Sequence, residues 1–202
     1  MNAKPPVELV LASSSPRRRQ LLSGAGYSVR IVPPKLDDGE LDAPDARRAH
    51  DWVAALAHLK ARCVYESLSE DERARSLVLG SDTVVISRDD IIGQPTDGAH
   101  ARAIIGCLSE NEHVVASGVA LLGPGHRSIF VDTTRVRVGR IPASEIEAYV
   151  ASGEWRGKAG AYNYADRLEA GWDLACEGDP TTIMGLPMER LKRALAAEGI
   201  GV

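Results

Sequence analysis

Residues 77–86 read as a buried β-strand, because they are rich in Val and Ile and are interrupted only by Gly80-Ser81-Asp82-Thr83. An acid inside such a strand needs an explanation, since a buried carboxylate is costly without partners. Along the rest of the chain, helical and strand patterns alternate with short breaks, and no internal repeat or low-complexity run interrupts them. This alternation predicts an α/β fold.

A short apolar run over 7–12 predicts another buried strand, followed by Ser13-Ser14-Ser15-Pro16 and a helix over 17–23. Ser15 is the expected N-cap, with Pro16 at the first helical position. Gly24 and Gly26 stop that helix, 27–32 resume as a strand before Pro33-Pro34, and 36–44 form an acidic loop. From Asp45 to about Leu68, the spacing of Trp52, Leu56, Leu59 and Cys63 predicts a long amphipathic helix. A helix is expected over 99–108, and strands over 114–122 and 129–138 are joined by the hairpin signal Gly123-Pro124-Gly125. The sheet is therefore expected to be mixed. Pro142 opens a helix to about Ser152, and 186–197 form the last one.

With 202 residues and 44% hydrophobic content the chain can bury one core, read as a single domain with residues 1–6 flexible. The core must rest on Leu, Ile, Val and Ala, because there are only three Trp, five Tyr and one Phe. The net charge of −4, with both signs well mixed, gives none of the basic field that a long nucleic acid requires. No stretch reaches the roughly 18 apolar residues of a membrane span, and the start lacks the apolar core of a signal peptide. Cys63, Cys107 and Cys176 are odd in number and far apart, which fits neither a disulfide framework nor a zinc site. A cytoplasmic protein without a membrane partner is the expectation.

Three constellations could carry chemistry. Ser13-Ser14-Ser15-Pro16-Arg17-Arg18-Arg19 sits at a strand-to-helix turn, where free N–H groups, hydroxyls and guanidiniums suit phosphate oxygens. The same residues also suit an ordinary N-cap with solvated arginines. Asp82, with Thr83 beside it, and the loop acids Asp37, Asp38 and Glu40 suit Mg²⁺ or the polarisation of an attacking water. Alternatively, Asp82 caps a turn and the loop acids are solvated. In Gly157-Lys158-Ala159-Gly160-Ala161-Tyr162 the glycines permit close backbone approach and Lys158 can meet a charged group, although a plain turn has the same composition. Neither a Walker loop nor a Gly-x-Gly-x-x-Gly turn occurs.

Taken in order, these segments resemble the Maf family over nearly the whole chain. Leu11-Ala12-Ser13-Ser14-Ser15-Pro16-Arg17-Arg18 is similar to that family's Ser-x-Ser-Pro-Arg-Arg signature. Leu56 to Ala61, Ser81-Asp82-Thr83-Val84-Val85, His113 to Leu122, Ile146 to Val150 with Gly153, Lys158 to Tyr162, and Gly178-Asp179 with Gly185-Leu186-Pro187 follow in the same order. The resemblance implies a Maf/ITPase-like fold, a mixed β-sheet flanked by helices with two lobes around a cleft, in proteins that are often dimeric. It implies hydrolysis of a nucleoside triphosphate to monophosphate and pyrophosphate with a divalent metal, Mg²⁺, Mn²⁺ or Co²⁺. Carried over by position, Asp82 is the proton acceptor, and Ser13, Arg17 and Arg18 hold phosphates. Lys60 and Asp38 complete the phosphate and metal environment with Asp82, and Thr83 and Arg17 bear on substrate choice.

The chain departs from the family at Gln94, where Lys is usual, at Asp38, where Glu is usual, and at Asn163-Tyr164-Ala165-Asp166, which replaces Gly-Ile-Gln-Gly. Loss of a buried, charge-assisted contact at residue 94 is worth about 1.5–3 kcal/mol, for which Lys158, Arg156 or Arg167 would be the available substitutes. Two alternatives stay open: a nonenzymatic nucleotide-binding regulator, as in cell-division control, and a phosphatase of a small phosphorylated metabolite.

Overall fold

The computed structural model describes residues 7–36 and 44–202. The expected acidic loop, with Asp37, Asp38 and Glu40, lies almost wholly outside them. The strands are β1 (Glu8–Ala12), β2 (Arg30–Ile31), β3 (Ser76–Ser87), β4 (Asp90–Ile92), β5 (Glu112–Gly123), β6 (His126–Val138) and β7 (Leu174–Glu177). The helices are α1 (Pro16–Gly24), α2 (Ala49–Ser67), α3 (Glu70–Arg73), α4 (Gly98–Leu108), α5 (Ala143–Ser152), α6 (Tyr164–Glu169), α7 (Pro180–Ile183) and α8 (Met188–Ala197).

One seven-stranded sheet runs in the order β2-β1-β3-β5-β6-β7, with β4 also paired to β3. β1 pairs in parallel with β2 and β3, and every other pairing is antiparallel, so the sheet is mixed as the hairpin signal implied. The strand expected over 27–32 shrinks to Arg30–Ile31.

β3 organises the site. Along one edge it pairs with β5 from Val78 to Ile86. Its other edge is shared, with β1 along 76–80 and β4 along 85–87, so residues 81–84 have no strand partner there among the described residues. Side chains alternate between faces along a strand. Val78, Gly80, Asp82 and Val84 therefore face α2, whose Val53, Ala57, Ala61 and Val64 cover that side. Leu77, Leu79, Ser81, Thr83 and Val85 face the opposite layer. There one core joins Leu9, Leu11 and Leu79 to Leu22 of α1 and Leu191 and Leu195 of α8. A second core joins Val85, Val115 and Val136 to Ile105 of α4, Tyr149 of α5, Trp155 and Trp172. These two cores form the two lobes on one sheet.

The apolar face of α2 agrees only in part with its larger residues. Leu56 is buried as expected, but Leu59 is 40% exposed, and Trp52 and Cys63 are only partly buried. The contact face is made of small residues because the helix backbone lies directly on two glycines: a Cβ on Gly80 would stand 2.3 Å from the Ala57 carbonyl, and one on Gly118 would stand 2.3 Å from that of Val53. Bulk at 57 or 61 would lift the helix off the sheet.

Candidate active site

The bare stretch of β3 opens into a cleft of about 630 Å³ between the two lobes. Ser13 to Arg18 line it from the β1–α1 turn, Lys60 from α2, Asp82, Thr83 and Val85 from β3, Gln94 from the segment after β4, Arg156 to Ala159 with Tyr162 and Asn163 from the segment after α5, and Ile183 to Gly185 from the end of α7. Ser13, Arg17, Arg18, Lys60, Asp82, Thr83 and Lys158, singled out in the sequence, thus converge on one space. Asp38 lies outside the described residues.

Asp82 and Thr83 point to opposite faces of β3, yet both reach the cleft, because among the described residues no neighbouring strand closes the edge between them. On the α2 face, Lys60 Nζ donates to Asp82 Oδ1 at 2.6 Å, with side chains only 14% and 13% exposed. At this burial an ion pair is screened far less than on the surface.

On the other face Arg18 ties three elements together. Its Nε donates to the Gly185 carbonyl at 2.9 Å, Nη1 to Ser13 Oγ at 3.2 Å and Nη2 to Thr83 Oγ1 at 3.1 Å. Thr83 Oγ1 lies 2.8 Å from Ser117 Oγ, which donates to the Thr182 carbonyl at 2.8 Å. Gly185 fits this junction because it adopts φ +97°, and a Cβ there would stand 3.2 Å from Thr83 Oγ1 and 3.3 Å from Arg18 Nε.

Ser15 is the N-cap residue of α1, but its side chain makes no capping bond; instead Ser13 Oγ accepts from the Ser15 N–H at 3.1 Å. The serine expected to cap is freed toward the cleft, and the one two residues earlier closes the turn.

Lys158 Nζ lies 3.7 Å from Asp166 Oδ2. Burial holds its ammonium below the ordinary lysine value, with Asp166 opposing that shift and Arg17 adding to it. Arg17 has no hydrogen-bond or ion-pair partner among the described residues. Arg167, a candidate substitute for the missing lysine, is instead committed at 2.8 Å to Glu154 and stacked over Tyr149 at 4.7 Å. Asn163 Oδ1 accepts from the Ala165 N–H at 3.2 Å, and Ala165 itself is not in the lining.

Behind the cleft wall, Tyr162 Oη lies 3.0 Å from His113 Nε2, while His113 Nδ1 has no partner among the described residues. Burial lowers the His113 pKa to about 4 and raises that of Tyr162, so both are neutral at physiological pH.

Among the described residues the lining carries Arg17, Arg18, Lys60, Arg156 and Lys158 against one carboxylate, Asp82. A concave site with that imbalance attracts a polyanion. No three His, Cys, Asp or Glu side chains gather to hold a metal among the described residues. The donor set of the described residues does not by itself make an all-protein metal cage. It fits a hard cation that takes one carboxylate and fills its remaining positions with water and substrate phosphates, as Mg²⁺ does. Sequence reasoning missed Ser117, Gly185 and Asn163 as site residues; the available signal was polar Ser117 in an apolar strand, which falls opposite Thr83 in the register.

No helix among the described residues is long and apolar enough to cross a membrane. The family model described as Maf-like protein matches residues 8–198. A dTTP/UTP pyrophosphatase from Geobacillus sp. (strain WCH70) is 38% identical over 95% of this chain and 98% of its own length. A second, from Mesorhizobium japonicum, is 41% identical over 96% of this chain and 93% of its own. The solved Staphylococcus aureus Ham1 protein aligns at TM-score 0.42 and 14% identity over 65% of this chain and 71% of that one.

Proposed function

The chain belongs to the Maf family, and from that premise we propose that it is a nucleoside triphosphate pyrophosphatase, cutting its substrate to a monophosphate and pyrophosphate. The observation that carries this reading is the convergence of five cationic side chains and one buried carboxylate on a single cleft. A terminal phosphate on a small metabolite would not require so extended a set of cations.

In the proposed reaction, water attacks the α-phosphorus, the bond from that phosphorus to the bridging oxygen breaks, and pyrophosphate leaves. Asp82 accepts the proton of the attacking water, and Lys60 holds the carboxylate in place. Ser13, Arg17, Arg18, Lys158 and Arg156 provide the cationic and hydrogen-bonding frame that positions the triphosphate, which is the main protein contribution to phosphoryl transfer. A divalent cation, held by Asp82 and the substrate's own oxygens, would neutralise developing charge on the leaving group. Asp38 is proposed as its second carboxylate. The names of the relatives place UTP and dTTP first among substrates to try.

The test is incubation of the purified protein with UTP, dTTP, CTP, GTP, ATP and modified analogues plus Mg²⁺, Mn²⁺ or Co²⁺, with products separated by chromatography. Monophosphate and pyrophosphate, released by the wild type and lost on chelation and in Asp82→Asn, is the expected result. Orthophosphate as the product would establish a phosphatase instead, and binding without any turnover would leave a nucleotide-binding regulator.

A further inference from the structure

The hydrogen bonds around Arg18 fix which way the protons of two cleft hydroxyls point. Ser117 Oγ has one proton, and the Thr182 carbonyl at 2.8 Å can only accept it. Thr83 Oγ1, 2.8 Å from Ser117 Oγ, must then be the donor in that contact. Thr83 has also accepted from Arg18 Nη2, so it turns toward the cleft with a lone pair and no proton. Ser13 has the opposite polarity. Its oxygen accepts from the Ser15 N–H and from Arg18 Nη1, which occupies both lone pairs and leaves its O–H as the group available to a ligand. No acceptor for that proton occurs among the described residues.

We infer that Arg18 is a positioning residue whose guanidinium fixes Ser13 as a hydrogen-bond donor to a phosphate oxygen and Thr83 as an acceptor. The Arg18 side chain acts through these two hydroxyls, so that anionic oxygen is favoured at Ser13 and an N–H, as in the imide or amino group of a nucleobase, is favoured at Thr83. An anionic oxygen placed at Thr83 would meet a lone pair and be repelled. The inference rests on the reading of this cleft as a triphosphate site and adds the polarity of its two hydroxyls.

A fork is needed for this task. Arg presents Nε, Nη1 and Nη2 in a fixed plane to acceptors on three separate elements, whereas a lysine ammonium is a single point. If Arg18 acted instead as a phosphate contact in its own right, lysine would retain most of its effect.

The experiment measures binding of inorganic pyrophosphate to the full chain by calorimetry for wild type, Ser13→Ala, Ser13→Thr, Arg18→Lys and Ser13→Ala/Arg18→Lys, with thermal midpoints to establish that each variant is folded. Ser13→Ala and Arg18→Lys should each weaken binding by about 10–100-fold, the equivalent of one charge-assisted hydrogen bond. The double variant should be no more than about twofold weaker than Arg18→Lys, because both changes remove the same contact. Ser13→Thr, which keeps the hydroxyl, should bind within a fewfold of wild type. Near-wild-type binding by Arg18→Lys, or losses that multiply in the double variant, would overturn the inference and leave Arg18 as a direct ligand. If Arg18→Lys does not fold, the Ser13 pair decides: Ala and Thr binding equally well would remove the donor role. Failure of the wild type to bind pyrophosphate would instead sink the proposed function, and this inference with it.

Discussion

Lys60 Nζ stands 2.6 Å from Asp82 Oδ1, and this contact joins helix α2 to the stretch of β3 that has no strand neighbour on its cleft edge among the described residues. Removing the cation leaves a nearly buried carboxylate without its partner, which costs about 3–5 kcal/mol in buried pairs. Lys60→Met should therefore lower the melting temperature by roughly 6–20 °C for a chain of this size. Asp82→Asn should cost less stability, since the amide oxygen can still accept from Lys60, yet reduce turnover by about 10²–10⁴-fold, the usual worth of a general base. Calorimetric melting and pyrophosphate release, measured on both variants, check the pair; a Lys60→Met protein as stable as wild type would contradict it.

Gly118 carries the weight of α2 at its N-terminal half. A Cβ there would sit 2.3 Å from the Val53 carbonyl and 2.9 Å from the Ala54 nitrogen, backbone atoms that cannot rotate away. Gly118→Ala should destabilise the fold by about 3 kcal/mol or more, as overpacking against rigid backbone does. Chemical denaturation gives the number, and a change under about 0.5 kcal/mol would mean that the helix is not seated as described.

Gly185→Ala probes the other face. It forces a side chain into φ +97° beside Thr83 Oγ1 and Arg18 Nε. The expected stability loss is about 1–2 kcal/mol from the backbone alone. Catalytic efficiency should fall on the order of 10–100-fold, because displacement of the Arg18 junction misplaces the cleft hydroxyls. Steady-state kinetics beside a melting curve separates the two effects.

His113 gives the fold an acid sensitivity with a defined sign. Its pKa is lowered from 6.5 to about 4 by burial, so between those values the unfolded chain binds a proton that the folded one refuses. Stability should fall as pH drops through that window, by about 2 kcal/mol between pH 7.5 and 5, and be unaffected by this group at higher pH. His113→Phe should flatten that portion of the stability–pH curve. Because Tyr162, which lines the cleft, leans on His113, turnover at acid pH should decline in step in the wild type.

Much of this architecture was legible in the sequence because local signals and burial agreed. The β1–α1 turn is marked by an apolar run, serines, Pro16 and then arginines, and the β5–β6 hairpin by Pro124-Gly125 between two apolar runs. Asp82 stood out because the runs on either side of residues 80–83 are apolar. Helix α2 was legible only in part at its face: of Trp52, Leu56, Leu59 and Cys63 only Leu56 is buried, and because the sheet beneath holds glycines the tight contact goes to Ala57 and Ala61. Short β4 and β7 carry too few residues for a period to emerge, and their pairing comes from β3 and β6. Gly185 and Ser117 join the site through contacts 34 to 167 residues apart in sequence, and beyond the polarity of Ser117 in its apolar strand no local pattern encodes them.

Seating α2 on two bare glycines makes catalysis a gauge of packing. A helix held by branched side chains can drift by a fraction of an ångström while its core softens gradually, whereas here backbone rests on backbone and Lys60 rides on the same turn as Ala57 and Ala61. Any substitution that lifts this turn, however remote from the cleft, will register at the Lys60–Asp82 contact as well as in the melting curve. Stability and activity are therefore expected to fall together along this helix.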